Sequence, residues 1–266
     1  MNSPQCVAPR IWPADALMTD PRRPVAGKPG LPQQATAAGD RRESHAGLLA
    51  QGARALGVSL DAGQIADLLA YQALLAKWNA VYNLTAVRDP DQMLRQHLLD
   101  CLAAVPAFAD AQRVLDVGAG GGLPGLVLAI WARVAKPDMQ IHLVDTVHKK
   151  TAFLTQAKSE LGLANVTVHT ARVEQLHVTP LFDVITSRAF AELADFIGWS
   201  SHLLAPGGRF LALKGVLPAD ELAALPAGWM LESARPLTVP LLDAQRHLLV
   251  VRRIADGESP ASTSLA

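Results

Sequence analysis

Residues 114–130 read VLDVGAGGGLPGLVLAI. An apolar run containing Asp116 breaks into glycines and resumes as a second apolar run. This pattern predicts a strand, a tight turn and a helix. Gly118, Gly120 and Gly122 let the chain turn sharply and let a ligand touch bare backbone. The N-terminus of the following helix suits a carboxylate or phosphate. Read literally, Gly120, Gly122 and Gly125 also spell G-x-G-x-x-G, the pattern of a dinucleotide site. The rest of the chain tests that reading.

Downstream of the loop, strand-like and helical runs alternate. QIHLVD (140–145), VTVHTA (166–171), FDVITSRA (182–189) and RFLALKG (209–215) read as strands with helices between them. Such alternation predicts a mostly parallel sheet covered on both faces. The ending differs. GWMLESARPLTVP and RHLLVVRR lack a crossover helix, so they should pair as an antiparallel hairpin at the sheet edge. A nicotinamide dehydrogenase more often continues with parallel strands or a second domain. The ending resembles the Rossmann-like class I S-adenosylmethionine (SAM)-dependent methyltransferase fold: α/β, mostly parallel, with a C-terminal antiparallel hairpin and here a preceding helical segment. Asp116 and Leu123-Pro124 fit a nucleoside carrying an amino acid better than a pyrophosphate. The G-x-G-x-x-G match then reads as an accident of a glycine-rich loop.

Upstream, Ile65, Leu68, Leu69, Gln72, Leu75, Trp78 and Tyr82 follow helical spacing from Asp61 onward. A second helix is predicted with Asp89 as N-cap, Pro90 as its first residue, and Met93, Leu94, Leu98, Cys101 and Leu102 as its buried stripe. The chain therefore divides into a disordered extension rich in Pro, Ala, Gln and Arg (1–45), a helical segment (46–110), a SAM-binding domain (111–255) and a loose tail (256–266). No apolar run reaches the roughly 18 residues of a membrane span, and the first 30 residues lack the apolar core of a secretory signal. Cys6 and Cys101 stand far apart, which points to a reduced, cytoplasmic setting without disulfide or metal site. The 24 basic and 24 acidic residues cancel. A nucleic-acid partner would have to be held by a local patch.

The chemistry-bearing positions fall at predicted strand ends. Asp145 ends the second strand, where nucleoside sites place an acid for ribose hydroxyls. Arg172, Val173 and Glu174 follow the third, and Val173 is placed to cover an adenine face. Arg188 ends the fourth strand and Lys214 the fifth, while Arg246 opens the last. Arginine there can anchor a carboxylate or phosphate bidentately. Asn83 follows the first long helix. His97 lies beside an apolar stripe and reads as a core or interhelical residue. No Ser/His/Asp or Cys/His arrangement with nucleophile spacing is present.

Taken together, KWNAVYNLTAVRDPDQMLRQHLLD, DVGAGGGLPG, SRAF, ALKG and RHLLVV, in that order, resemble the bacterial small-subunit ribosomal RNA guanine-N7 methyltransferases, also called glucose-inhibited division protein B. The resemblance runs roughly from Leu60 to Arg253. It implies SAM-dependent methyl transfer to N7 of one guanine in 16S ribosomal RNA, free or within a small-subunit assembly particle. It also implies cofactor contacts at Gly118, Leu123, Val173, Glu174 and Arg188. Gly120 belongs to the same loop, and Asp145 is added from its position. Gly121 departs from the family, which more often has Ala or Pro there. Guanine N7 needs no general base, so no catalytic residue is assigned. Asn83, Arg172, Lys214 and Arg246 are the candidate RNA contacts, with Arg188 sharing that duty. A methyltransferase with another acceptor, a non-enzymatic SAM-binding module and an NAD(P)-dependent oxidoreductase remain the alternatives.

Overall fold

The computed structural model describes residues 33–255, with side chains from residue 43. The tail 256–266 and residues 1–32 of the expected extension lie outside the described residues. Two long helices come first, α1 (Gln33–Ala55) and α2 (Ala62–Tyr82). α1 begins within the stretch expected to lack structure. Its Ala, Gln, Arg and Glu residues favour helix, but before Leu48 no apolar stripe marks it in the sequence.

α2 starts at a capping box. Gln64 N donates to Asp61 Oδ1 (2.7 Å), and Asp61 N donates to Gln64 Oε1 (2.9 Å). Gln64 Nε2 then donates to the carbonyls of Ile130 and Trp131 (3.1 and 2.9 Å), pinning α2 against the helix that follows the glycine loop.

The next helix is not uniform. It runs as α3 (Pro90–Met93), a π-helical turn (Leu94–Leu99) and α4 (Asp100–Ala104), and ends in a 3-10 turn (Val105–Phe108). Asp89 caps it by accepting from Gln92 N at 2.9 Å, and all five stripe residues predicted from the sequence are buried. The π turn was not visible in the pattern. Within it, Asp100 N bonds to Arg95 O and His97 O and passes over Gln96 O.

The strands are β1 (Arg113–Val117), β2 (Gln140–Asp145), β3 (Val166–Thr170), β4 (Phe182–Arg188), β5 (Leu204–Lys214), β6 (Trp229–Pro236) and β7 (His247–Arg253). Helices α5 (Gly125–Ala135), α6 (His148–Glu160), α7 (Leu193–Ser200) and α8 (Ala219–Ala223) lie between them. The sheet order is β3-β2-β1-β4-β5-β7-β6, parallel through β5. β7 inserts antiparallel between β5 and β6, so the expected hairpin is present with its later strand on the inside.

Period-two alternation sorts the strand side chains into two cores. Val114, Leu143, Val184, Leu211 and Val250 join α1, α2, α4, α5 and α6 on one face. Leu115, Val144, Ile185, Phe210 and Val251 join α7 on the other. The helical segment thus shares its core with the sheet. Asp61→Ala removes the side-chain acceptor for Gln64 N, leaving only the backbone bond from residue 61 to Gln64 Oε1, and should lower the unfolding free energy by about 1 kcal/mol. A guanidinium unfolding curve with unchanged slope checks this.

Candidate functional site

At the carboxyl ends of β1, β2 and β3 lies a cavity of about 350 Å³, lined among others by Gly118, Asp145, Lys150, Val173, Glu174 and Phe190. The glycine loop is tied to β2: Gly118 N and Ala119 N both donate to Val144 O (2.9 and 3.1 Å). Gly118 has φ +68°, and a Cβ built there would come within 2.2 Å of the Phe190 ring. Only glycine fits that position without strain. Asp145 closes the loop from the other side. Its Oδ2 accepts from Gly120 N (3.0 Å), its Oδ1 accepts from Val147 N (2.9 Å), and Lys150 Nζ stands 3.5 Å from Oδ2.

A second cavity of about 370 Å³ is lined by Asp100, Arg188, Ala189, Leu213, Lys214, Gly215 and Arg246. Sheet register explains the gathering. Arg188 pairs with Leu213 and Lys214 with His247, so the ends of β4 and β5 and the residue just before β7, Arg246, bring their cations to one rim. Ala189 lines both cavities. A larger cavity of about 610 Å³, with His45, Leu69 and Gln72 on its wall, includes no strand-end residue.

The residues picked out from the sequence divide between these places. Gly118, Asp145, Val173 and Glu174 meet in the first cavity, and Arg172 joins them there rather than the cationic rim. Arg188, Lys214 and Arg246 meet in the second. Leu123 is buried in the helix-side core. Gly120 contributes its N–H to Asp145, and a Cβ there would touch only Gly118 O, at 3.7 Å. Asn83 lines neither cavity. It ends α2 in a left-handed conformation and accepts from Arg88 Nη2 at 2.8 Å. The buried asparagine of α2 is Asn79, which accepts from Thr85 N (2.8 Å) and donates to Val87 O (3.2 Å), shaping the loop after α2. Asn83, a candidate RNA contact from the sequence, therefore stands apart from both cavities.

With this geometry, a protein-family model described as rRNA small subunit methyltransferase G matches residues 64–249. The chain belongs to that family. The ribosomal RNA small subunit methyltransferase G of Herminiimonas arsenicoxydans is 66% identical over 206 residues, covering 77% of this chain and 94% of that protein. Its counterpart from Ralstonia nicotianae is 57% identical over 211 residues, covering 76% and 93%. Among solved structures, TrmN from Thermus thermophilus is similar over 60% of this chain and 53% of that one, at 24% identity and a TM-score of 0.46.

In this member of the methyltransferase G family, the polar centre behind the two cavities was mostly hidden in the sequence. Asp100, only 4% exposed at its side chain, accepts from Arg188 Nη1 (3.0 Å) and from Arg246 Nε (2.9 Å). Gln96 O, passed over by the π turn, accepts from Arg188 Nη1 at 3.0 Å. Arg188 Nη2 lies 3.3 Å from His97 Nδ1, and His97 Nε2 lies 2.9 Å from Thr85 Oγ1. A guanidinium only donates, so Nδ1 accepts and the His97 proton sits on Nε2, facing Thr85. Burial and the Arg188 charge push His97 down to about 4, which keeps that neutral form at neutral pH. His97 is thus buried, as its position in the sequence implied, and it bridges the loop after α2 to the end of β4 rather than two helices. Burial pushes the Cys101 thiol up to about 12, which removes it as a nucleophile. Lys214 Nζ is held by Glu221 (2.7 and 3.0 Å) and Ala191 O (3.1 Å).

Asp116 plays a structural part. Its Oδ2 accepts from Gly125 N at 2.9 Å. A Cβ on Gly125 would meet Leu143 Cδ2 at 2.2 Å and Asp116 Oδ2 at 2.8 Å. The last glycine of the G-x-G-x-x-G match therefore has a packing reason: it lets α5 approach β2. Burial pushes the Asp116 carboxyl from 3.8 up to about 7, with Gly125 N–H and Arg188 opposing and Asp145 assisting. Between those values the folded chain holds a proton that the unfolded chain has lost, so this contribution is complete below about pH 4 and is lost as pH rises through about 7. The stability of the wild type relative to Asp116→Asn should fall between pH 4 and 8 and then level off. Urea unfolding across that range checks this, and a pH-independent difference would contradict it.

Proposed function

We propose that this protein transfers a methyl group from S-adenosylmethionine to N7 of a guanine in 16S ribosomal RNA. The observation that carries the reading is the pair of cavities joined at Ala189, one edged by glycine backbone and acids, the other by three cations. Family membership supports the reaction class.

The first cavity suits the cofactor. Gly118 leaves backbone bare at its edge, and Asp145 has two backbone donors on a carboxylate with about four acceptor sites, leaving capacity for ribose hydroxyls. Val173 offers an apolar surface for the adenine and Glu174 an adjacent acceptor. When bound, the cofactor supplies a sulfonium methyl that a lone pair can attack directly. Arg188, on the wall of the other cavity, bears on the acceptor side and on the junction at Ala189.

Guanine N7 carries a lone pair in its ring plane, so no proton must leave first and no general base is needed. The tasks left to the protein are alignment and a site arranged for moving charge. Arg188, Lys214 and Arg246 are assigned to RNA phosphate or the base. Because a folded RNA helix hides its major-groove edge, the target guanine is taken to lie in an exposed loop, in 16S RNA or a small-subunit assembly particle.

Mass spectrometry of 16S RNA nucleosides from cells with and without the gene tests the proposal. Loss of one 7-methylguanosine on deletion, restored by the purified protein with S-adenosylmethionine, is expected. An unchanged nucleoside profile would overturn it. A transferred methyl found on a protein or small molecule instead would favour the reading with another acceptor.

A further inference from the structure

The loop after β4 presents a feature that the cofactor assignment does not use. Phe190 and Trp199 are each 37% exposed, both line the cofactor cavity, and their rings meet edge-on at 5.9 Å. Phe190 also stands edge-on to Phe196, at 6.3 Å. Ala189, directly before it, has φ +53°, a left-handed backbone that costs an ordinary residue energy. That turn sets Phe190 over Gly118 while Ala189 itself lines both cavities. An aromatic ring on the cofactor cavity therefore directly follows the one residue that lines both cavities.

We propose that Phe190 is the platform on which the acceptor purine stacks. The inference rests on the RNA-methylating reading above and adds a residue to it. Unpaired bases in RNA are held by stacking on aromatic side chains. For this reaction stacking has a further merit: the N7 lone pair lies in the plane of the base, so a ring against the base face fixes that plane without covering the reacting edge. Arg188 and Arg246, anchored by Asp100, stand on the neighbouring wall to take the phosphate of the same nucleotide. Phe190 acts as a positioning residue and takes no part in bond making.

Phe190→Leu keeps apolar bulk and removes the π face, Phe190→Ala removes both, and Phe190→Trp restores an aromatic surface. Each is compared with wild type for thermal unfolding, for S-adenosylmethionine affinity by titration, and for kcat and KM with small-subunit ribosomal RNA. Expected is a loss of about tenfold or more in kcat/KM for RNA in the Leu and Ala variants. Cofactor affinity should stay within about threefold of wild type, and the Trp variant should recover most of the activity. Parallel weakening of cofactor binding would overturn the proposal by assigning the ring to the cofactor. Wild-type RNA kinetics in Phe190→Leu, or no recovery in a folded Phe190→Trp, would overturn it too. If the wild-type protein left RNA unmethylated, the substrate reading would fall and this inference with it. If wild type methylates and Phe190→Leu equals it, only this inference falls.

Discussion

The structure turns on one buried carboxylate. Asp100 belongs to the helical segment, Arg188 to the end of β4 and Arg246 to the residue before β7, and both guanidiniums donate to that one carboxylate. A charge removed from water is costly unless paired and hydrogen-bonded. The three groups meet only when the helical segment is docked on the sheet. The cationic cavity is therefore a product of docking, not of the sheet alone. The π turn belongs to the same device, because Gln96 O within it, which Asp100 N does not reach, accepts a further Arg188 hydrogen bond. π turns inside helices recur at functional sites for this kind of reason.

Two acids near the glycine loop are separated by environment. Asp116 is fully buried with a single backbone donor, and its proton affinity is raised. It spaces β1 from α5 and works with the missing side chain of Gly125. Asp145 sits at the cavity edge with two backbone donors and a lysine, which hold the loop in shape while leaving acceptor capacity toward the cavity. Their roles follow from surroundings rather than from residue type.

Much of this was legible in the sequence, and the reasons can be named. The strands and their helices were readable because burial on both faces leaves apolar runs, and because Asp89-Pro90 and Asp61 are explicit helix starts. The cations of the second cavity were readable because strand ends in a parallel sheet converge. What escaped depends on distant partners. Asp100 lies in an ordinary helical run, and its two arginines are 88 and 146 residues away. Asn83 was singled out because its position after the helix was visible, and Asn79 went unremarked because its burial was not. Tyr71, which is fully buried and donates to Gly121 O at 2.5 Å, sat three residues after Leu68 and was within reach of the same helical spacing. The insertion of β7 inside β6 left no mark in either strand's pattern.

The central claim is that Asp100 joins Arg188 and Arg246 into one unit on which the site is built. A double-mutant cycle on unfolding free energy, combining Asp100→Asn with Arg246→Gln, tests it directly. A coupling of at least about 1 kcal/mol is expected, because removing the second member of a pair costs less once the first has gone. Effects that add to within about 0.5 kcal/mol would contradict it.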